Sequence, residues 1–218
     1  MTRVGGQAKV HGAPGTRWKR RAEARPEEIL EAALDEFSER GFDAARVQDI
    51  ARRAGISKGG VYLYFPSKSA LLRALIEAKV APLARLAQTI AAAGASDPMS
   101  ALRMIATAAA HRLGDAKVFA VPRLVISVSG RFPEIAEFYR AHVVDVARGA
   151  LERLIEAAMA NGALRRVDPK AAARAFIGPI LFEALWTHVL KGESALGAPE
   201  KLIEQHFDVW LNGLEQRA

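Results

Sequence analysis

The chain has 218 residues, a net charge of +7 and a pI near 10.0, and half of its residues are hydrophobic. This balance is typical of a globular protein, and the charge favours a polyanionic partner if it is concentrated on one surface. The lack of cysteine excludes disulfides, thiolate zinc sites and cysteine nucleophiles. No secretory signal follows Met1, and residues 175–190 contain Pro179, Glu183 and His188, so we interpret them as a buried or interfacial helix and not as a membrane span. We therefore expect a cytoplasmic protein.

Residues 1–25 differ in composition from the rest of the chain. Glycine and proline are frequent, large apolar residues are few, and residues 17–21 form the basic run Arg-Trp-Lys-Arg-Arg. We interpret this segment as a disordered basic arm. Such an arm is either a solvated tail or a DNA-binding segment, which lies along the phosphates or enters a minor groove.

Three short helices are predicted after this arm, from apolar residues spaced three and four apart and from helix start and stop residues. The first begins at Pro26 and stops at Gly41. The second ends in a turn at Gly55. Ser57 caps the third, which ends at about Tyr64.

From residue 67 onward the chain is predicted to form long helices separated by glycine and proline, without a convincing strand pattern. A shared helix over residues 67–93 is expected to join two domains, at residues 26–73 and 74–218. We therefore predict an all-α fold. Its N-terminal three-helix helix-turn-helix domain is continuous with a larger helical domain.

The second and third helices have the pattern of a helix-turn-helix motif, with a tight turn at glycine. The third must enter a major groove about 12 Å wide. Its leading end is the small run Ser57-Lys58-Gly59-Gly60, and Val61 and Phe65 follow as apolar anchors. Each glycine costs about 1 kcal/mol in a helix relative to alanine. The pair therefore indicates either close approach of the backbone to DNA or an irregular turn.

Positive charge is concentrated in and around this motif. Residues 46–80 contain only two acidic residues, whereas the basic residues in the same stretch are Arg46, Arg52, Arg53, Lys58, Lys68, Arg73 and Lys79. Tyr62 and Tyr64 lie among these cations, and tyrosine hydroxyls are common phosphate ligands. This concentration favours DNA as the polyanion.

Two runs in this region resemble the DNA-binding domain of the TetR/AcrR family. They are residues 41–51, GFDAARVQDIA, and residues 54–68, AGISKGGVYLYFPSK, and the likeness extends over about residues 26–73. Residues 117–190 resemble, more weakly, the ligand-binding half of family members. The resemblance implies a homodimeric DNA-binding regulator.

The resemblance also implies individual contacts with DNA. Lys58, Gly59, Gly60 and Tyr62 match recognition-helix positions that face DNA, next to the cap residue Ser57. Gln48 matches a base-reading position at the start of the second helix. Tyr64 and Lys68 match positions that frequently contact phosphates. Lys68 lies at the start of a helix, where its charge is unfavourable with the helix dipole, so a nearby phosphate would stabilise it.

Arg46 departs from the family pattern, which usually has Thr-Thr where this chain has Ala45-Arg46. A threonine at position 46 would cap the second helix and pair with Asp49 in a capping box. Losing that cap costs about 0.5–2 kcal/mol. We hypothesise that Arg46 contacts a phosphate or base edge instead.

Other motifs have weaker support. The run Gly55-Ile56-Ser57-Lys58-Gly59 matches the nucleophile elbow of hydrolases, but that elbow needs a preceding strand, and a helix precedes this one. The histidines His111, His142, His188 and His206 lie singly, without the spacing of metal ligands. We expect no enzymatic activity, metal or cofactor.

The second half of the chain carries candidates for an effector cavity. The resemblance implies that some of its aromatic residues line the cavity, and an apolar or aromatic small molecule would suit such a lining. The candidates are Phe119, Phe138, Tyr139, Phe176 and Trp186.

The last two helices, over about residues 169–190 and 199–213, carry apolar stripes. Proteins of the resembled family dimerise by packing two such helices from each subunit into a four-helix bundle. The interface candidates are Ile180, Ala184, His188, Ile203, Phe207 and Trp210.

Together these features predict a repressor that binds a near-palindromic operator as a dimer and is released by a small effector. An activator, or a regulator without an effector, remains open. The alternative from another class is an all-helical partner-binding protein whose basic face is incidental. Salt-dependent, sequence-selective binding to DNA would distinguish a regulator from that alternative.

Overall fold

The computed structural model describes residues 15–193 and 198–212, and of residues 15–25 only the backbone. The described residues form helices and no strand, which confirms the all-α prediction. The helices are α1 (Gly15–Ala44), α2 (Val47–Arg53), α3 (Lys58–Tyr64), α4 (Lys68–Leu75), α5 (Ala81–Ala93), α6 (Pro98–Gly114), α7 (Ala116–Val128), α8 (Pro133–Tyr139), α9 (Asp145–Ala160), α10 (Pro169–His188) and α11 (Pro199–Asn212), with π-helical turns at Ile76–Val80 and Arg140–Val144.

Helix α1 begins earlier than the sequence pattern predicts. It starts at Gly15 and contains Pro26 within its length, so the predicted helix start at Pro26 is wrong, whereas the disordered arm expected over residues 1–25 stays a prediction. Alanine, glutamate, lysine and arginine are frequent there and are strong helix formers, which outweighs the lack of an apolar stripe. Residues 1–14 of the expected arm lie outside the described residues. The predicted stop at Gly41 is confirmed by its positive φ of 78°.

The helix-turn-helix motif is built from local interactions. Gly55 has a φ of 67°, the left-handed conformation that the turn between α2 and α3 needs. The Ser57 side chain accepts a hydrogen bond from the Gly60 amide at 3.0 Å and so caps α3. Arg46 occupies the cap position of α2 without a side-chain cap, as its sequence predicts.

A nearly continuous helical path runs from the DNA-binding motif into the second half of the chain. Ser67 caps α4 by accepting a hydrogen bond from the Ala70 amide, and α4, the π-helical turn at Ile76–Val80 and α5 follow without a break. This matches the predicted shared helix. The boundary placed between residues 73 and 74 falls inside it and stays a prediction.

Two hydrophobic clusters stabilise the described residues. The first joins α1–α4 to α7 and α8, with Phe37, Leu72 and Leu124 among its buried members. The second is formed by α5, α6, α9, α10 and α11, around residues such as Leu102 and Phe176. Because helices of the second half contribute to the first cluster, the helix-turn-helix domain is packed against the rest of the chain rather than tethered to it.

Candidate DNA-binding surface and ligand cavity

Helices α2, α3 and α4 surround an open groove on the outside of the molecule. Five of the predicted DNA contacts line it together, and they are Arg46, Gln48, Lys58, Tyr62 and Lys68. Tyr64 is exposed at the end of α3 and does not line this groove. Five of the nine predicted DNA contacts thus share this groove.

Helix α3 presents a narrow polar face to solvent. Val61 is fully buried and Phe65 packs partly on the same core, so the predicted anchors hold the helix in place. On the opposite face, the Lys58 ammonium lies 5.9 Å from the centre of the Tyr62 ring. Leu63 is 85% exposed on this helix. The sequence interpretation missed it, although its position off the buried stripe was a usable signal.

The two glycines of α3 lie in a regular helix, so the alternative of an irregular turn is wrong. A side-chain carbon at Gly60 would sit 3.4 Å from the Ser57 hydroxyl oxygen and 3.5 Å from Ile56. One at Gly59 would have only the Ser57 oxygen, 3.9 Å away, within 4 Å. No intramolecular contact therefore requires glycine at position 59.

Most of the basic residues around the motif are engaged inside the protein. Arg53 Nη1 donates to Glu39 at 2.8 Å, and Arg53 Nη2 to the buried Glu36 at 3.3 Å, which ties α2 to α1. The others are held by single contacts, namely Arg52 with Asp49, Lys79 with Glu31, and Arg73 over the Phe138 ring. Within the described part of the chain, Arg46 and Lys58 form no ion pair.

Lys68 has a structural role that the sequence interpretation did not anticipate. Its ammonium donates to the carbonyls of Phe42, Asp43 and Ala45 at 2.7, 3.0 and 3.0 Å. Burial lowers the pKa of Lys68, and nearby Asp43 acts in the opposite direction. All three ammonium donors are therefore occupied within the protein, by carbonyls at and just after the end of α1, and the phosphate contact of Lys68 stays a prediction.

A second, more enclosed space lies between α5, α6, α9 and α10. Its volume is about 450 Å³, within the range of small-molecule sites. Its wall is mainly aliphatic, and many wall residues are small. The alanines lining it are Ala84, Ala87, Ala109, Ala147 and Ala173. These short side chains face one another across the helices and leave the space unfilled.

Of the five aromatic candidates for an effector cavity, only Tyr139 lines this space. Phe176 is fully buried against Phe207 and Trp210, with ring centres 5.5 and 5.0 Å away. The other three fill different contacts, with Phe138 stacked on His142, Phe119 beside His188, and the partly exposed Trp186 donating to the Glu193 carbonyl. The prediction is corrected because large rings fill the seams between helices, whereas the cavity lies where side chains are short.

The predicted dimer stripe faces the interior of the protomer. Four of its members, Ile180, Ala184, Ile203 and Phe207, are buried in the second hydrophobic cluster. The other two are half-buried, with His188 bonded to the Leu113 carbonyl and Trp210 packed on Phe176. Within the protomer the stripe thus leaves only parts of His188 and Trp210 accessible to a partner, and its role in the dimer stays a prediction.

Helix α10 has a second apolar face that is exposed to solvent. We name it the outer face of α10, and it consists of Leu181, Phe182, Trp186 and Val189. The spacing of these residues places them on one side of the helix. The helix is apolar on two sides, which is why periodicity alone selected the inner stripe.

Within residues 15–193 and 198–212, no helix is long and apolar enough to cross a membrane. In the same ranges, no three histidine or acidic side chains are grouped as metal ligands would be.

Comparison with known proteins relates these features to a family. Residues 29–75 match the model for bacterial regulatory proteins of the tetR family. Residues 100–209, half of the chain, match a model described as the C-terminal domain of AefR-like transcriptional repressors.

Individual relatives agree with these matches. The chain is 49% identical over 51 residues to the HTH-type regulator YvdT of Bacillus subtilis, covering 23% of this chain and 26% of that protein. It is 44% identical over 80 residues to the HTH-type regulator RutR of Escherichia coli K12, covering 34% of this chain and 38% of that protein. It thus matches only about a quarter to two fifths of the length of these two relatives.

Several solved structures are similar over nearly the whole chain. The regulator FrrA, described as flavonoid-responsive, is 30% identical, covers 90% of this chain and 100% of its own, and superposes with a TM-score of 0.60. The helix-turn-helix geometry, the matched family models and this relative lead to one conclusion. The chain belongs to the TetR family of DNA-binding transcriptional regulators.

Proposed function

We propose that this protein is a cytoplasmic, dimeric repressor that a small molecule releases from a palindromic operator. The observation that carries the proposal is the helical path from Lys68 to Ala93. At one end its buried residues Leu71 and Leu72 belong to the same hydrophobic cluster as Val61 of the recognition helix α3, and at the other end Val80, Leu83 and Ala87 form part of the cavity wall. A ligand in the cavity would therefore touch the same helical path that supports the DNA-binding motif.

In this proposal α3 enters the major groove with its polar face toward the bases. Lys58 and Tyr62 would contact phosphate or base edges, and Gly59 would allow the backbone to approach DNA closely. Leu63 would meet a thymine methyl, the apolar feature of the major groove. Gln48 would read a base from the start of α2.

Arg46 would act from the cap position of α2. Its side chain is exposed, lines the same groove as Lys58 and has no ion-pair partner among the described residues. A guanidinium in this position suits a phosphate, or the O6 and N7 atoms of guanine. This contact would offset the missing side-chain cap.

Dimerisation would use the outer face of α10. Exposed Phe182 and Trp186, with ring centres 6.3 Å apart, form an apolar patch, and such patches mark interaction sites. Two recognition helices would then reach major grooves about 34–36 Å apart.

Release of the repressor from DNA by a ligand would depend on the short distance between the cavity and the proposed dimer face. Leu181 lines the cavity and also belongs to the outer face of α10. A ligand that shifts α10 would favour a dimer of different spacing, to the extent that its affinity differs between the two arrangements. The description of FrrA as flavonoid-responsive supports an effector of this kind.

The test is binding of the purified full chain to DNA. Fluorescence anisotropy would compare duplex from upstream of its own gene with a random duplex of equal length, across a salt series. We expect preference for the upstream duplex. For Arg46→Thr and Lys58→Ala we expect weaker binding and a salt slope smaller by about one for each lost phosphate contact.

The matched control is Arg153→Ala, which removes an exposed arginine of α9 far along the chain from the motif. It should leave both affinity and salt slope unchanged. No preference over random duplex would refute the proposal and favour a partner-binding protein. An unchanged slope in Arg46→Thr would refute the role given to Arg46.

A further inference from the structure

The mouth of the cavity carries an unusual set of charges. Among the cavity-lining residues that are exposed or half-buried, three are arginines and one is an acid, and they are Arg140, Arg148, Arg174 and Asp145. The interior wall is aliphatic, with Leu83, Ile105, Leu113, Val143 and Leu151 among its members. The cavity is thus apolar inside and cationic at its opening.

The hydrogen bonds at the mouth leave one guanidinium available. Asp145 is held by two arginines, since Arg140 donates to its Oδ2 at 3.0 Å and Arg148 to its Oδ1 at 3.2 Å. Arg148 also donates to Glu152 at 3.0 Å. Arg174 forms no hydrogen bond or ion pair with any residue in the described ranges. Because Asp145 is already bound by two arginines, the mouth of the cavity favours an anionic ligand over a cationic one.

Tyr139 adds a neutral donor to the same opening. Burial raises the pKa of Tyr139 to about 12, so its hydroxyl keeps its proton at physiological pH. Tyr139 lines the cavity, and its hydroxyl makes no hydrogen bond within the described part of the chain. The hydroxyl can therefore donate to a ligand oxygen.

We propose that the cavity binds an amphipathic organic carboxylate, with its aliphatic body inside and its carboxylate at Arg174 and the Tyr139 hydroxyl. The flat guanidinium of arginine matches a carboxylate with two parallel hydrogen bonds. This inference rests on the proposed function, because it names the chemical class of the effector that releases the repressor.

The test compares three ligands with the same ten-carbon chain and different heads. Isothermal titration calorimetry on the full chain without DNA would measure decanoate, 1-decanol and decylamine, each well below the concentration at which it forms aggregates. We expect decanoate to bind at least about tenfold more tightly than 1-decanol, and decylamine to bind most weakly. Equal affinities for decanoate and 1-decanol would overturn the proposal.

Variants locate the head and the body of the ligand. Arg174→Gln should reduce the affinity for decanoate to that for 1-decanol, whereas the control Arg153→Gln, on an exposed site of α9, should leave the preference intact. Ala147→Leu, which adds bulk to the cavity wall, should weaken both ligands. A preference that survives Arg174→Gln, or decanoate binding unaffected by Ala147→Leu, would place the ligand elsewhere and overturn the proposal.

Because this titration contains no DNA, its failure is distinct from failure of the proposed function. Head-group selectivity without specific DNA binding would support the ligand class and refute the repressor. Specific DNA binding without head-group selectivity would support the repressor and refute the ligand class.

Discussion

At the scale of single residues, the distinction that matters is between cations that bind other parts of the chain and cations that face solvent. Arg53 and Lys68 lie in the same stretch as Arg46 and Lys58 and have the same charge. The first two are held by partners on α1 and in the loop that follows it. The last two are exposed and line the groove beside α3. Residues of the second kind are therefore the better candidates for DNA contacts.

Lys68→Met tests this distinction. The substitution removes three donors from carbonyls of residues 42–45, and hydrogen bonds from charged donors stabilise more than neutral ones. We expect the free energy of unfolding to fall by about 1–2 kcal/mol, measured by urea denaturation.

Lys58→Met is the matched control. Lys58 is exposed, so we expect a change in stability below about 0.5 kcal/mol and a clear loss of DNA affinity. If Lys68→Met instead kept its stability and reduced the salt slope of DNA binding, Lys68 would be a phosphate contact after all.

At the scale of elements, the recognition helix is short and depends on its ends. Helix α3 has seven residues, two of them glycine, and isolated helices of this length are unstable in water. The Ser57 cap, the left-handed Gly55 and the buried Val61 are what hold it in its helical form. A local change at its start should therefore affect stability and DNA binding together.

Ser57→Ala is expected to lower the free energy of unfolding by about 1 kcal/mol, because the Gly60 amide loses its acceptor. In a chain of this size such a loss lowers Tm by about 2–4 °C, which differential scanning calorimetry would measure. Ser57→Thr keeps a hydroxyl at the cap and should stay near the wild type. Equal Tm values for the alanine and threonine variants would show that the cap does not stabilise α3.

At the scale of the whole molecule, helix α10 connects the cavity to an exposed apolar face. The inner face of α10 packs into the second hydrophobic cluster, while its outer face remains exposed. Ile177 lines the cavity, and so does Leu181, which belongs to the outer face. Dimer geometry and ligand occupancy are therefore expected to influence each other through α10.

Phe182→Glu tests the dimer. Phe182 is 58% exposed in the protomer, so a charge there should not disturb folding but should oppose burial against a second apolar face. In sedimentation analysis we expect the wild type at twice the 23.6 kDa of one chain and the variant at the monomer mass, with greatly reduced operator affinity.

The control for this experiment is Met104→Glu. Met104 is an exposed apolar residue of α6 with the same exposed fraction of 58%. It should leave the dimer intact. A Phe182→Glu protein that remained dimeric would exclude the outer face of α10 as the interface.

The sequence by itself determined the features that depend on neighbours within a few residues. The cap at Ser57, the turn at Gly55 and the missing cap at Arg46 all follow from local geometry, and the structure agrees with each. The resemblance of residues 41–68 to the family was carried by these same positions. The start of α1 was the local error, because composition misled where helix propensity was high.

Only the tertiary structure decided which residues are available to a partner. Lys68 is bound by carbonyls 23 to 26 residues earlier, and no local pattern records such a contact. Periodicity showed that α10 is apolar but not which side the rest of the chain would cover. The cavity depends on short side chains from several helices facing one another. These properties arise from packing between segments that are distant in the sequence. The residue pattern along one helix does not determine that packing.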